Sequence, residues 1–267
     1  FFFVISNFFA QNAYANFISS GDDLTTSNYV IRAFDVHAQL TDPRDITFNN
    51  DGTKMFTNDT TADDVFEYTL STPYDISTAV FVDSFAVDTG NTRPFSVQFN
   101  NDGSKMFIAE RELRKVIEYS LSTNFDVSSA TKTANSIDVS AQVGGKALLG
   151  LTFSPDGKKM FVAENGFGLH QYSLNKSFDL SGGANFIRSA EVPTLSSGTS
   201  FNGIAFNQSG TRMFVVDSSA NAVNQYTLSE GFNIATASFD GGAFARQFSD
   251  SSLHGDPQGI DLSLIHI

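Results

Sequence analysis

Short segments of alternating apolar and polar residues, separated by small polar turns, recur along the chain. Asp45-Ile-Thr-Phe48 alternates polar with apolar, the period of a half-buried strand. Asn49-Asn-Asp-Gly52 then predicts a tight turn, with Gly at positive φ and Asp bonding the backbone of its own turn. Lys54-Met-Phe56 opens a second strand, and Val65-Phe-Glu-Tyr-Thr-Leu70 is a third. An aromatic-acidic turn, Tyr74-Asp75, leads to a looser fourth strand, Ala79-Val-Phe-Val-Asp-Ser-Phe85.

The same order returns three times. Phe48-Asn-Asn-Asp-Gly-Thr-Lys-Met-Phe56 becomes Phe99-Asn-Asn-Asp-Gly-Ser-Lys-Met-Phe107, then Phe153-Ser-Pro-Asp-Gly-Lys-Lys-Met-Phe161, then Phe206-Asn-Gln-Ser-Gly-Thr-Arg-Met-Phe214. The leading Phe residues stand 51, 54 and 53 positions apart. The third strand recurs as Val116-Ile-Glu-Tyr-Ser-Leu121, Leu169-His-Gln-Tyr-Ser-Leu174 and Val223-Asn-Gln-Tyr-Thr-Leu228, and the turn as Phe125-Asp126, Phe178-Asp179 and Phe232-Asn233. A period of about 50 residues made of four short strands predicts an all-β fold, a β-propeller of four-stranded antiparallel blades. One such sheet is apolar on both faces and is covered only by its neighbours. The 28 Phe and 7 Tyr, with no Trp, are assigned to those blade-to-blade layers; each can bury roughly 150–250 Å².

The units span about 42–87, 93–139, 147–191 and 200–250. Before them, Asn28-Tyr-Val-Ile-Arg-Ala-Phe-Asp-Val-His37 resembles the fourth strand of a preceding blade. After them, Asp256-Pro-Gln-Gly-Ile-Asp-Leu-Ser263 matches Asp42-Pro-Arg-Asp-Ile-Thr-Phe-Asn49 position by position, so a fifth unit starts at 256. The expectation is an incomplete propeller over 28–263, four blades plus parts of two more, the missing blades belonging to a longer chain with roughly six to eight. Two end segments are read separately. Phe1-Phe-Phe-Val-Ile-Ser-Asn-Phe-Phe-Ala10 followed by Ala13-Tyr-Ala15 fits a truncated signal peptide over 1–15, or else a strand of an upstream unit; it is too short to span a bilayer. Leu262-Ser-Leu-Ile-His-Ile267 coincides with one translation of a widely used sequencing-library adapter, the alternative being a natural hydrophobic end strand.

Composition narrows the partners. With no Cys, disulfides, thiol nucleophiles and thiolate metal sites are out. Sixteen basic against 29 acidic residues give a net charge of −13, which argues against nucleic acid, whose phosphates call for a basic surface. No segment reads as an integral membrane span. Cation binding is compatible with this charge.

Four residues past each repeat Met stands a carboxylate: Asp59, Glu110, Glu164 and Asp217. A ring of them could hold Ca2+, a hard cation that takes oxygen ligands; the alternative is a loop residue bonding nearby amides. On the innermost strand, Asp45, Ser96, Gly150 and Gly203 are equivalent, as are Thr47, Gln98, Thr152 and Ala205. Asp45, Thr47, Ser96, Gln98 and Thr152 are therefore candidates to line the central channel, and the two Gly residues imply close backbone approach. Asp51, Asp102 and Asp156 are assigned to turn chemistry. His170 stands where other units have Phe66, Ile117 and Asn224, and is read as a packing or rim residue. Neither a Gly-x-Ser-x-Gly elbow nor a His-x-x-x-His pair is present, and no catalytic residue is assigned.

Phe153-Ser-Pro-Asp-Gly-Lys-Lys-Met-Phe-Val162 resembles the bacterial propeller repeats of YVTN, TolB-type and lactonase-like proteins. The resemblance implies a fold and leaves function open, because binding proteins and enzymes share it. The functional expectation is a secreted, periplasmic or cell-surface propeller acting as a non-catalytic binding or scaffold module for a protein, glycan or surface. The alternative is a lactonase-like hydrolase, Ca2+-dependent, with its site at the channel mouth.

Overall fold

The computed structural model describes residues 3–9, 12–19, 28–36, 38–87, 93–166, 168–193, 200–220, 222–240, 246–247 and 257–262. The chain opens with β1 (Phe3–Phe9), β2 (Asn12–Ser19) and β3 (Asn28–Phe34). Blade I follows as β4 (Pro43–Phe48), β5 (Lys54–Asp59), β6 (Asp64–Leu70) and β7 (Ala79–Ala86). Blade II is β8 (Pro94–Phe99), β9 (Lys105–Glu110), β10 (Lys115–Leu121) and β11 (Ala130–Asp138). Blade III is β12 (Leu148–Phe153), β13 (Lys159–Glu164), β14 (Gly168–Lys176) and β15 (Asp179–Glu191). Blade IV is β16 (Phe201–Phe206), β17 (Arg212–Asp217), β18 (Ala222–Leu228) and β19 (Ala237–Phe239), with β20 (Arg246–Gln247) also paired to β18. The last strand is β21 (Pro257–Leu262).

Each blade is a four-stranded antiparallel meander in chain order, as the repeat predicts. The flanking pieces, read from sequence as parts of two units, meet in one sheet of order β21-β1-β2-β3. Residues 3–9 and 12–19, which the sequence reads as leader or upstream strand, are strands of that sheet; 263–267 of the adapter-like segment lie outside the described residues. The inner strands β4, β8, β12, β16 and β21 contact one another in turn, and β21 meets β4, which closes a ring about an axis. Among the described residues no helix is long and apolar enough to cross a membrane.

The repeat motif has a packing reason. Phe56, at the heart of β5, lies 4.4 Å, centroid to centroid, from Phe99 of the next blade; Phe107 meets Phe153 at 4.8 Å and Phe161 meets Phe206 at 4.6 Å. The second Phe of one motif thus packs on the first Phe of the following one. The turn Gly has two reasons. Gly52 sits at φ 70°, which favours a residue without Cβ. A Cβ there would also lie 2.3 Å from the Tyr74 ring, and Gly103, Gly157 and Gly210 face Phe125, Phe178 and Phe232 in the same way. Each of those aromatics itself sits at positive φ, and the Tyr74 N–H donates to the Gly52 carbonyl at 2.9 Å. The turn carboxylates cap locally: Asp51 accepts from the Thr53 N–H and hydroxyl, and Asp75 from the Ser77 N–H.

Polar side chains also reach from one blade to the next. Buried Glu67 takes Lys54 at 2.6 Å and, across the gap, accepts the Val127 N–H at 3.0 Å; Glu118 accepts the Leu180 N–H at 2.8 Å. The Asn58 amide donates to the Pro94 carbonyl, and Asn101 to that of Pro155 at 3.0 Å.

Candidate functional site

Each inner strand of blades I to IV begins with a bulge, where register shifts between Pro43 and Ile46, Pro94 and Ser96, Leu148 and Gly150, and Phe201 and Gly203. A bulge sets two residues against one and re-aims side chains. Three tiers of equivalent positions follow along the axis. The first holds Arg44, Phe95, Leu149, Asn202 and Gln258; the second Asp45, Ser96, Gly150, Gly203 and Gly259; the third Thr47, Gln98, Thr152, Ala205 and Asp261.

The second tier is buried throughout. Asp45 Oδ2 accepts from the Ser96 hydroxyl at 2.5 Å and the Val97 N–H at 3.1 Å, and Ser96 Oγ accepts from the Leu151 N–H at 3.2 Å. A Cβ on Gly203 would stand 3.1 Å from the Ile260 nitrogen, so the backbones here approach closely. Burial pushes the Asp45 carboxyl from 3.8 up to about 7. Bonds from Ser96, Ile46 and Val97 oppose that rise, and the Asp261 charge adds to it.

Beyond this plug a cavity of about 480 Å³ opens on the face made by the hairpin turns. Thr47, Gln98, Thr152, Ala205 and Asp261 line its depth; Phe48, Phe99, Phe153 and Phe206 alternate around it with Asn49, Asn50, Asn100, Asn101 and Gln208. Asp261 accepts from the Thr47 hydroxyl at 3.1 Å and the Phe48 N–H at 2.8 Å. No Lys or Arg is among the described lining residues. Of the sequence candidates, Thr47, Gln98 and Thr152 line this cavity, whereas Asp45 and Ser96 lie one tier deeper. The cavity is on the face opposite the loops that join second to third strands.

The first tier, at the other end, holds one charged residue, Arg44. The Arg44 guanidinium bonds Gln258 Oε1 at 3.0 Å, and Asn202 donates to the same oxygen at 2.8 Å, linking blades I, IV and the fifth sheet. Arg44 and Arg111 both lie over the Phe95 ring, at 5.0 and 5.6 Å. No sequence signal marked this tier, since its five residues differ in every unit.

The four strand-end carboxylates are buried but are not brought together. Asp59 accepts four bonds from the backbone N–H groups of Thr41, Asp42, Thr61 and Ala62, all within its own blade and entry loop. Asp217 accepts from the Ala220 N–H at 3.0 Å. Among the described residues no three His, Asp or Glu side chains gather as a metal site. Glu164 differs from the other three. Its Oε1 pairs with Lys146, and its Oε2 lies 3.1 Å from His170 Nε2, while His170 Nδ1 lies 2.7 Å from Ser189 Oγ. Burial raises the Glu164 carboxyl, and the bonds to His170 and Lys146 outweigh it, leaving a net lowering.

No protein-family model and no curated protein sequence matches the chain. Solved structures do resemble it. A proposed 6-phosphogluconolactonase from Bacteroides uniformis is 13% identical, with a TM-score of 0.52 over 96% of this chain and 72% of that one. A second, from Bacteroides fragilis, is 14% identical with a TM-score of 0.49, over 92% of this chain and 61% of that one. The periplasmic gluconolactonase of Pseudomonas aeruginosa is 14% identical with a TM-score of 0.49, over 94% and 69%. The chain thus spans 61 to 72% of their lengths. At these identities the shared property is architecture, and the chain has a β-propeller fold similar to that of bacterial lactonase-like proteins.

Proposed function

We propose that the protein is a secreted, periplasmic or cell-surface binding module that takes a neutral, hydroxyl-rich glycan in the axial cavity. One observation carries this reading: aromatic rings and side-chain amides alternate around a cavity of about 480 Å³ that no described Lys or Arg lines. Apolar rings cover sugar faces, while amides and hydroxyls satisfy sugar hydroxyls in both donor and acceptor roles. A phosphorylated sugar would meet no cation there and would face Asp261.

The hydrolase reading has its own support in Arg44 and Arg111 over Phe95, where an anionic lactone could be held at the opposite mouth. Ca2+ at Asp59, Glu110, Glu164 or Asp217 would belong to that reading. A glycan array followed by titration calorimetry, run beside a lactone panel, separates the two. Glycan binding that falls about tenfold in Gln98→Ala, about 1.4 kcal/mol, supports the first. Lactone turnover lost on Arg44→Ala, with no glycan bound, replaces it with the second.

A further inference from the structure

Blade III departs from its neighbours at one cross-strand pair. Phe66 faces Ser84 in blade I, Ile117 faces Ser136 in blade II, and His170 faces Ser189 in blade III. The third-strand partner is buried in all three, so the change is from an apolar side chain to an ionisable one inside the sheet. Such a change is costly unless both ring nitrogens find partners. They do, on opposite sides: Glu164 at 3.1 Å from Nε2 and Ser189 at 2.7 Å from Nδ1. Space for the carboxylate comes from Gly168, where a Cβ would lie 2.3 Å from Glu164 Oε1. Ser189, on the outermost strand, is exposed.

We propose that Ser189 is an activated nucleophile, with His170 as its general base and Glu164 as the positioning residue that fixes the imidazole. A hydroxyl, a base within hydrogen-bond reach and a third group orienting the base are the parts a serine nucleophile requires. The carboxylate holds the proton on Nε2 and leaves Nδ1 free to accept. In the forward step Ser189 Oγ bonds the carbonyl carbon of an ester while its proton passes to Nδ1. The alkoxide then leaves and takes that proton as an alcohol. Water adds to the acyl carbon, gives one proton to Nδ1, and expels Ser189 Oγ, which recovers it; the net reaction is ester plus water to acid plus alcohol. An open rim suits short acyl groups such as acetyl. The site is apart from the axial cavity, so its failure leaves the glycan reading untouched.

The test is labelling of the full chain with a fluorophosphonate probe, mapped by mass spectrometry, beside p-nitrophenyl acetate hydrolysis. Ser189 should carry the label, and Ser189→Ala, a change at an exposed position, should abolish it. Ser136→Ala, the matching serine opposite Ile117, should leave labelling unchanged. His170→Asn installs the residue blade IV already holds at Asn224 and should slow labelling about a hundredfold or more, the scale of general-base catalysis. Glu164→Gln should lower kcat with KM unchanged. An unlabelled wild type, a label that persists in Ser189→Ala, or wild-type rates in His170→Asn overturns the proposal. Should His170→Asn not fold, the serine pair alone decides.

Discussion

The seams between blades and the axis they surround are built on opposite plans. At each seam the same contact repeats: Phe56 on Phe99, Phe107 on Phe153, Phe161 on Phe206, each within 4.8 Å. Along the axis the units diverge, and equivalent positions read Asp45, Ser96, Gly150 and Gly203, or Thr47, Gln98, Thr152 and Ala205. Repetition marks what every sheet needs from its neighbour, and divergence marks what only the assembled ring provides. Seam changes should therefore cost stability, while axis changes should alter ligand binding or the response to pH.

Phe107→Ala is the strongest challenge to that division. It removes a fully buried ring from the blade II to blade III seam and should cost about 3–5 kcal/mol. A urea midpoint that barely moves would mean the seam is not where stability resides. Asp45→Asn probes the axis. The folded carboxyl titrates near 7 against 3.8 unfolded, so between those values the native state holds a proton the unfolded chain has lost. Wild-type stability accordingly falls as pH rises through this window and levels off above it. The amide removes this dependence and can still accept from Ser96 and Val97. Melting at pH 8 should show the Asp45→Asn variant more stable than wild type by up to about 4 kcal/mol, each unit being worth about 1.4; at pH 4 the two should coincide. Equal curves at pH 8 would deny the buried carboxyl its cost.

Gly103→Ala returns to the repeated skeleton. The new methyl meets the Phe125 ring at 2.2 Å and requires φ 72°, so about 1–3 kcal/mol should be lost, visible as a lowered denaturation midpoint. Gln98→Ala, at the cavity, should leave stability within about 0.5 kcal/mol while weakening any bound glycan. If it unfolds the protein instead, the cavity wall is structural and the contrast fails.

The skeleton was legible because it recurs. Phe-to-Phe spacing gave the seams, and Asn49-Asn-Asp-Gly52 gave the hairpin. The reason for the Gly was only half legible: positive φ could be read locally, but the Tyr74 ring against it comes from a later turn. Contacts between units left no local trace. Glu67 meets the Val127 N–H 60 residues on, and Arg44 meets Gln258 214 residues on. His170 stood out as irregular, yet its two partners lie on different strands, Ser189 19 residues away, with no motif spacing to reveal them. The four carboxylates looked alike because their shared offset from Met reflects strand length, and Asp59, Glu164 and Asp217 each bond within their own blade and its entry loop.

The links across the seams share a sense of travel. Asp45 reaches forward to Val97, Asn58 to Pro94, Glu67 to Val127 and Glu118 to Leu180. Loosening a blade therefore takes side-chain partners from backbone groups of its successor and leaves buried side chains of its predecessor unpaired, so both neighbours lose. Loss of Glu67 in blade I would thus free the Val127 N–H of blade II directly, while the Leu180 N–H, held by Glu118, would follow only if blade II loosens in turn, an order that hydrogen exchange at the two amides would time.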